Sequence, residues 1–301
     1  MDQQAHAVGK TPINERIANI VNYMLLALLS LIILLPLVNI LALSLNDGKD
    51  ASLGGIAFWP RVFSVSNYIE VFKNPAVVQG LEVTLFRTIV GTALSVFLTA
   101  MAAFALKNRN LPGVGAASIF IVFTMLFNGG IIPFFMVLKM FHLNNTIWVY
   151  IVPTLYSAWN LILVRTFFRS IDPSMEESAK IDGANDFQVL FRIYFPLSMP
   201  VLSVICLFNG VMHWNDWFYG AFYVTDEKLR PLQTVLQQML TAAEALRKNL
   251  SMNAMMSASS TVTSESLKMA MVMISIVPIA SVYPFIQKYF VQGIMVGSVK
   301  G

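Results

Sequence analysis

Charged residues and cysteine are both scarce in this chain of 301 residues. Asp, Glu, Lys and Arg make up 12% of the residues and hydrophobic types 56%, whereas a soluble domain carries about 25% charged residues. A chain this apolar needs lipid as its solvent. The net charge of +4 comes from scattered basic residues, so the sequence offers no nucleic-acid-binding surface. Cys206 is the single cysteine, which excludes an intrachain disulfide, and it lacks partners for a metal site.

Groups that carry out catalysis are also missing from the apolar runs, which contain no paired carboxylates, no cluster of metal ligands and no nucleophile beside a base. We therefore predict that the chain is not an enzyme. Gly9-Lys10-Thr11 is similar to the end of a phosphate-binding loop, but Gln4 stands where the leading glycine belongs and no strand precedes it. The chain is accordingly expected to bind neither ATP nor a metal ion itself.

Six apolar runs dominate the chain, and each is long enough for the roughly 20 residues that a helix needs to cross a bilayer. They predict an all-α, polytopic membrane protein with a single transmembrane domain over residues 1–301. The first run is too long for a signal-peptide core of about 7–15 residues, so we expect it to remain as an anchor. The predicted spans are residues 20–45, 81–106, 116–140, 147–168, 197–223 and 267–290.

Two of these runs carry polar or helix-breaking residues. Asn128-Gly129-Gly130 and Pro133 interrupt the third run and predict a broken helix, which is tolerated where it faces protein or a water-filled cavity. The fifth run ends in the most polar and aromatic stretch of any span, from Asn209 to Trp217. A protein that only scaffolds others would need neither feature.

Arg87 lies in the first third of the second predicted span, where a charge is costly and by default indicates a function. The alternative is a side chain that snorkels to the nearby membrane interface. Asp216 falls near the same outer surface. We therefore hypothesise that these two side chains form an ion pair.

Residues 172–196 form a polar segment between the fourth and fifth runs, which we call the polar loop. Asp172 is placed to cap a helix that begins at Pro173. Glu176 and Glu177 follow in the first turns, where the helix dipole favours negative charge.

Gly183 predicts the end of that helix, because glycine adopts positive φ without a Cβ penalty. Ala184 to Phe191 can then form a second short helix. The polar loop is thus predicted to be two short helices joined by a glycine elbow along the membrane surface. An ordinary connecting loop is the plain alternative.

The polar loop resembles the EAA loop of ABC importer permeases. Its neighbourhood, Lys180-Ile181-Asp182-Gly183-Ala184, is similar to the version found in carbohydrate importers. Ser178 replaces the middle alanine of the family pattern, and Phe195 replaces a leucine. The matching residues are Glu177-Ser178-Ala179, Gly183, Ile193 and Pro196.

The resemblance extends over most of the chain. Ala102 to Gly113 and the C-terminal stretch from Gln292 to Gly301 are similar to the corresponding parts of maltose-type permeases. Residues 127–133, 213–217 and 231–233 resemble a narrower branch that imports oligosaccharides derived from polysaccharides.

This resemblance implies a type I ABC importer permease, with six spans, in the bacterial cytoplasmic membrane. The implied partners are a second permease subunit, two ATPase subunits that hold ATP and Mg, and an extracytoplasmic sugar-binding protein. The polar loop would then dock on the ATPase as a coupling helix. The residues that this resemblance assigns to coupling are Glu177, Ser178, Ala179, Asp182, Gly183 and Pro196.

Sugars present apolar CH faces and many hydroxyls, so a path for them needs aromatic and neutral hydrogen-bonding side chains. An interfacial aromatic belt and hydrogen bonds between helices would use the same residue types. The candidates for the substrate path are Asn209, Trp214, Asn215, Trp217, Tyr156 and Asn160, with Trp159 beside them.

Six spans place both termini on one side of the membrane. Lys107 and Arg109 favour the cytoplasm for the short loop after the second span, and the resemblance implies the same orientation, with both termini and the polar loop cytoplasmic. Two alternatives stay open. A self-sufficient secondary transporter would need ionisable residues deep in its spans, which are largely absent, and a membrane scaffold would use the polar loop only to bind a partner.

Overall fold

The structure, a computed structural model, describes residues 13–108, 111–127, 129–249 and 264–298. Gly9-Lys10-Thr11, Arg109, Asn128 and the last three residues, on which parts of the sequence analysis rest, lie outside these ranges. The described residues are mainly helical, and their extended pairing is limited to one isolated antiparallel bridge between Asn46 and Phe63. The prediction of an all-α protein is confirmed.

The helices alternate between long apolar rods and short connecting pieces. Three single turns of 3₁₀-helix and one turn of π-helix interrupt the α-helices at residues 147–149, 152–154, 227–229 and 190–194. The α-helices are α1 Ile13–Ser44, α2 Gly48–Ser52, α3 Ser66–Lys73, α4 Pro75–Lys107, α5 Val114–Leu126, α6 Ile131–Met140, α7 Ala158–Ser170, α8 Pro173–Ile181, α9 Asp186–Val189, α10 Phe195–Leu197, α11 Met199–Asn215, α12 Phe218–Phe222, α13 Leu232–Asn249 and α14 Ser264–Ser298.

A helix extends beyond its apolar run when the residue that caps the helix lies outside that run. The helix of the second run begins at Pro75 rather than at residue 81, because Asn74 Oδ1 accepts a hydrogen bond from Ala76 N at 3.0 Å and Pro75 occupies the first turn. The apolar run therefore marks the part of α4 that suits lipid, and the cap sets where the helix starts.

Three helices of the described residues are each long and apolar enough to cross a membrane, and they lie within α1, α4 and α14. Two bent pairs, bent by 45° between α7 and the turns before it and by 83° before α11, raise the number to five if each pair is one span. The third predicted span consists of the shorter apolar helices α5 and α6. Gly130, with φ of 84°, separates them, so the helix is interrupted where the sequence predicted a break. Six crossings remain a prediction.

The described residues divide into two units, of which the first contains residues 13–71 and 264–273. In this unit the buried Asn67 of α3 is bonded to the residues that follow α1 and to the start of α14. Its side-chain amide donates to the carbonyl oxygens of Ser44 and Asn46 at 3.0 and 2.8 Å, and its side-chain oxygen accepts from Ser266 Oγ at 2.8 Å. Asp47 caps α2. Along α1 the large apolar side chains from Ile17 to Leu34 are exposed, as lipid-facing or partner-facing side chains must be.

The second unit contains residues 72–249 and 274–298, and α4 is its central helix, with α7, α11 and α13 packed against it. A stripe of mostly small side chains repeats along α4 at intervals of three or four residues, so it occupies one buried face. Small residues let helix backbones approach closely without a hydrophobic driving force. The residues of this stripe are Gly80, Thr84, Arg87, Gly91, Ser95, Thr99 and Ala103.

Two apolar clusters fill this unit. One lies between α4, α7, α11 and the polar loop, and the other lies around the turns after α6. The first cluster is built on buried Ala100, Val164, Phe168, Leu190, Tyr194 and Ile205, and the second on Leu138, Tyr150, Ile151 and Tyr223. The polar loop is thus anchored in the same core as the central helix.

Gly91 of α4 lies directly against the His213 ring of α11. A Cβ at this position would lie 2.5 Å from His213 Nε2 and 2.6 Å from His213 Cε1, well inside van der Waals contact. His213 is itself buried. The absence of a side chain at residue 91 is therefore a condition for the packing of these two helices.

Gly91→Ala is expected to destabilise the protein by about 1–3 kcal/mol, the usual cost of overpacking a core. The matched control is Gly115→Ala in α5, where a Cβ meets nothing within 4 Å, so this change should be neutral or stabilising. Thermal unfolding in detergent would measure both. Equal melting temperatures for the two variants would contradict the close approach.

Candidate functional site

The first helix of the polar loop begins as the sequence predicts. Asp172 Oδ1 accepts a hydrogen bond from Ser174 N at 2.9 Å, and Pro173 stands in the first helical position. The hydrogen bond from the Ser174 backbone lowers the pKa of the exposed Asp172 carboxyl. The start of α8 is fixed by neighbours in sequence alone.

Gly183 ends this helix in the left-handed region, with φ of 84°. Gly183 N donates to Lys180 O at 3.1 Å, and Ala184 N donates to Ala179 O at 2.9 Å, which closes the last turn. Nothing lies within 4 Å of a Cβ built at residue 183, so its backbone conformation alone calls for glycine. Asn185 and Gln188 then form a capping box that starts α9. The predicted glycine elbow is present.

The helix α8 has two faces of different character. Glu176 and Ala179, three residues apart, are half-buried against the body of the second unit. Glu177 and Ser178 are exposed, and the Ile181 side chain is 85% exposed. Asp182, at the elbow, is exposed as well. The outward face of α8 therefore combines one exposed apolar side chain with polar ones.

A hollow of about 390 Å³ lies beside the elbow. It continues the outward face of α8 into the second short helix, so a partner could contact both. Its lining comes entirely from the polar loop and consists of Ala179, Asp182, Gly183, Ala184, Gln188, Val189, Arg192 and Ile193.

Glu176 contacts the end of α4, which the sequence analysis missed. One carboxylate oxygen of Glu176 pairs with Lys107 Nζ and accepts a hydrogen bond from Tyr194 Oη at 2.9 Å, and the other pairs with Lys180 Nζ at 2.9 Å. Burial raises the pKa of Glu176, but the hydrogen bonds from Lys107, Lys180 and Tyr194 outweigh burial and lower the pKa to about 2. Only the spacing of Glu176 and Lys180 was visible in the sequence.

After the second short helix the backbone forms the π-helical turn, residues 190–194, and then the short helix α10 that contains Pro196. Pro196 is exposed. The chain bends by 83° before it enters α11. Turns of π-helix are frequent at functional sites and are one cause of helix kinks, and here such a turn precedes the corner that joins the polar loop to α11.

The predicted substrate-path residues fall into two groups. Asn160 and Asn209 are buried within the chain and are joined by an Nδ2-to-Oδ1 hydrogen bond of 3.4 Å between α7 and α11. Trp214 is also buried, and its Nε1 donates to Ser275 O at 2.9 Å. These three side chains connect helices of the second unit.

The other candidates are on the surface of the chain. Tyr156 is 50% exposed and Trp217 is 40% exposed, and Asn215, two residues before Trp217, is exposed as well. Trp159 is exposed too. These side chains are free to contact a substrate or a second subunit.

An open apolar groove of about 550 Å³ runs between α4, α11 and α14. Thr88 and Thr92 lie in it with hydroxyl oxygens that have no hydrogen-bond partner within the described residues. Cys206 lines the same groove and is exposed. The described residues contain no group of three or more His, Cys, Asp or Glu side chains that could hold a metal ion.

Arg87 and Asp216 form the ion pair that the sequence analysis hypothesised. Arg87 Nη1 lies 3.0 Å from Asp216 Oδ2, and Arg87 Nη2 donates to the Asp216 carbonyl oxygen. The guanidinium also lies over the Tyr150 ring, 4.9 Å from its centroid. Because the Arg87 side chain is only 1% exposed, the snorkelling alternative is wrong.

Asp216 also accepts backbone hydrogen bonds at the corner between α11 and α12. Its Oδ1 accepts hydrogen bonds from Phe218 N at 3.1 Å and Tyr219 N at 3.4 Å. The ion pair therefore joins the central helix to the start of α12.

Comparisons with a family model and with known proteins agree with each other. Residues 7–296 match the family model described as "Binding-protein-dependent transport system inner membrane component". The chain is 36% identical over 287 residues to the polygalacturonan/rhamnogalacturonan transport system permease protein YtcP of Bacillus subtilis, covering 95% of this chain and 99% of that protein. It is 35% identical over 288 residues to protein LplC of the same organism, covering 95% and 96%.

A solved structure also matches. The crystal structure of a bacterial ABC transporter involved in the import of the acidic polysaccharide alginate contains a chain that is 30% identical, with a TM-score of 0.84. The match covers 94% of this chain and all of that chain, 100%.

Asp216→Asn is expected to destabilise the protein by about 3–5 kcal/mol, because it leaves the buried Arg87 without a counter-charge. The matched control is Glu227→Gln, which removes a carboxylate from the exposed pair with Arg230 and should cost less than about 1 kcal/mol. Thermal unfolding in detergent measures both. Adding Arg87→Met to Asp216→Asn should restore part of the loss; strictly additive losses would contradict a pair.

The stabilisation from Glu176 should be insensitive to pH between 7 and 5. The pKa of Glu176 in the folded protein, about 2, lies below its ordinary value of 4.5, so the contribution is present above 4.5 and is lost as the pH falls towards 2. The difference in melting temperature between the wild type and Glu176→Gln should stay constant down to pH 5 and then shrink. A difference that vanishes at pH 6 would contradict this assignment.

Proposed function

The chain belongs to the family of binding-protein-dependent transport system inner membrane components, and from this premise we propose that its polar loop is the surface on which an ATPase subunit docks. The chain is a membrane protein and a permease subunit of an ABC importer. A permease of this kind has to receive force from a subunit with which it shares no covalent bond. The coupling surface is therefore the part of the function that depends most on this chain's own residues.

One observation carries the proposal: the outward face of α8 is exposed although the helix is rigidly held. Glu177, Ser178 and Ile181 point away from the body of the second unit, while Asp172 and Gly183 fix the two ends of the helix. A docked rigid helix transmits rigid-body motion across an interface. Asp182 and the hollow at the elbow extend the same surface, and Ala179 and Pro196 hold its shape.

The other subunits follow from this assignment. A second permease completes the path, two ATPase subunits bind ATP and Mg and carry out hydrolysis, and an extracytoplasmic binding protein delivers the sugar. Since the ATPase works in the cytoplasm, the polar loop is cytoplasmic. With six spans, both termini lie on the same side, in a bacterial cytoplasmic membrane.

The substrate class we propose is an oligosaccharide derived from a polysaccharide. Two similar proteins support this, since one is a polygalacturonan/rhamnogalacturonan transport system permease and the other belongs to a transporter involved in the import of alginate. Among the candidates, the exposed side chains of Tyr156, Asn215 and Trp217 are those able to touch a sugar directly. The buried Asn160, Asn209 and Trp214 would shape the path from behind.

The family membership does not favour the two alternatives that the sequence left open. A secondary transporter would move its substrate without an ATPase, and a scaffold would have no binding protein to receive sugar from. Both would be supported if the tagged chain, extracted gently from its native membrane, were recovered alone or as a homo-oligomer. Recovery with a second permease and two ATPase subunits, seen by mass spectrometry of the intact complex, is the expected result.

Glu177→Lys is expected to leave the chain in the membrane and to abolish both ATPase docking and uptake, because it reverses the charge on the outward face of α8. Co-purification of the ATPase with the tagged permease and uptake of an oligogalacturonide mixture measure the two effects. Glu227→Lys, which reverses an exposed glutamate outside the polar loop, is the control and should retain docking. Wild-type docking in Glu177→Lys would remove the assignment.

Gly183→Pro is expected to have the same effect through the backbone. Proline fixes φ near −65°, whereas Gly183 has φ of 84° and donates a backbone hydrogen bond. Gly54→Pro makes the same change in the loop after α2, where φ is 74° and the Gly54 N–H also donates. Loss of docking in both variants would indicate a general folding defect instead.

A further inference from the structure

We propose that Lys107, Glu176 and Tyr194 form a brace that fixes α8 to the cytoplasmic end of α4, so that a displacement of the docked loop moves the central helix. This proposal rests on the proposed function and adds to it the route by which the motion leaves the polar loop. All three side chains are positioning residues, since none of them belongs to the outward face of α8.

The three side chains meet at one point from three separate elements. Lys107 is the last residue of α4, Glu176 lies in the first turns of α8, and Tyr194 ends the π-helical turn. Lys107 Nζ pairs with Glu176 Oε2 and donates to Tyr194 Oη at 2.9 Å, and Tyr194 Oη donates to the same Glu176 oxygen. Each member therefore contacts both of the others.

The brace is enclosed rather than a surface contact. The side chains of Lys107 and Glu176 are 12% and 18% exposed, and Tyr194 is buried. The ammonium group lies over the Phe104 and Tyr194 rings, 4.5 and 4.2 Å from their centroids. An exposed pair adds little, whereas an enclosed pair is costly to open, because each charge would then lie unpaired.

Its surroundings make it rigid. The Tyr194 ring packs against Phe104 and Phe168, with both centroids 5.1 Å away. Arg169, at the end of α7, donates to the carbonyl oxygens of Leu106 and Lys107 at 3.1 and 2.9 Å. Arg169 thus satisfies the last carbonyls of α4, which otherwise lack partners.

A second pair of charges balances the brace on its open side. Lys180 pairs with the other oxygen of Glu176 at 2.9 Å and reaches Asp186 at 3.4 Å. Two cations and two anions are then present, so the cluster carries no net charge. The Lys180 side chain is half exposed, which makes this second pair a support for the position of Glu176.

The outward face of α8 is the face that a partner would move, and the inward face carries the brace to α4, so motion would pass from the partner through α8 to α4. A partner that moves the outward face either carries α4 along through the brace or breaks the brace. Breaking it would leave Lys107 enclosed among aromatic rings without a counter-charge. The tilt of α4 is therefore tied to the position of the loop.

The test uses the complete complex with its ATPase subunits and the single cysteine of this chain. Cys206 is exposed in the groove beside α4, so a motion of α4 should change its rate of reaction with a maleimide, read from the intact mass of this chain. The rate is measured with and without ATP, Mg and vanadate, and no sugar is needed. A wild-type rate that does not respond to the nucleotide would overturn the proposal.

Lys107→Met and Glu176→Gln are expected to keep the ATPase subunits bound and to reduce the nucleotide-dependent change in rate by about tenfold, within the usual coupling between contacting residues. Combining the two changes should be no worse than the worse single change. The control is Lys139→Met, which removes an exposed lysine at the end of α6 and should respond like the wild type. A full response in both brace variants would overturn the proposal.

Tyr194→Phe tests the brace if the complexes that contain Lys107→Met or Glu176→Gln fail to assemble. It removes the hydroxyl and keeps the ring packing, so a reduction of about threefold is expected from the lost hydrogen bonds. Loss of docking in Tyr194→Phe would mean that the cluster only holds the fold together. Two readouts keep the proposals apart. Wild-type docking in Glu177→Lys would overturn the coupling surface, whereas a full nucleotide response in the brace variants would overturn the brace alone.

Discussion

The close packing of helices against the small-residue face of α4 is the constraint on which the second unit depends. Glycine, serine, threonine and alanine recur on that face at helical spacing, and the lack of a side chain at Gly91 leaves room for the buried His213 ring of α11, which would otherwise lie 2.5 Å from a Cβ. In lipid no hydrophobic force draws helices together, so close backbone approach and hydrogen bonds have to do so. The larger exception on this face, Arg87, is accommodated because Asp216 and Tyr150 surround it. Once α4 is fixed, the neighbouring helices and both ends of the polar loop have defined positions.

Features that depend on neighbouring residues could be predicted from the sequence. Asp172, Pro173 and Gly183 act within a few residues of their own position, so their patterns were sufficient to place α8 and the elbow. The pair of Arg87 and Asp216 joins residues 129 positions apart, and it was predictable because an unpaired charge in an apolar run is costly. The Lys107 to Glu176 contact spans 69 positions. An acidic residue at position 176 is already explained by the start of a helix, where the helix dipole favours negative charge. The sequence therefore gave no indication that Glu176 has a distant partner.

The same reasoning explains the mixed outcome for the polar and aromatic residues of the fifth run. Tryptophan and asparagine suit a sugar path and suit hydrogen bonds between helices equally well. Which use applies depends on the side of the helix that packs inward, and on α11 that side is set by α4 and α7. Asn209 is buried and its Oδ1 accepts a hydrogen bond from Asn160 of α7, and Trp214 is buried and donates to Ser275 of α14, whereas Trp217 follows the end of α11 and is exposed. Residue type indicated the chemistry, and packing decided which residues remain available for it.

The length of α4 has a consequence for how this protein can move in a bilayer. Arg87 and Lys107 are twenty residues apart on a helix without proline after its first residue, which at 1.5 Å per residue is about 30 Å. That distance equals the roughly 30 Å thickness of the hydrocarbon core. On a helix that crosses the membrane, this spacing would place one enclosed cation near each face, and sliding the helix along the membrane normal by a few residues would bring one of them towards the centre, where a charge costs most. Displacement of α4 along the membrane normal is therefore costly, whereas a change of tilt would leave both cations near the membrane faces.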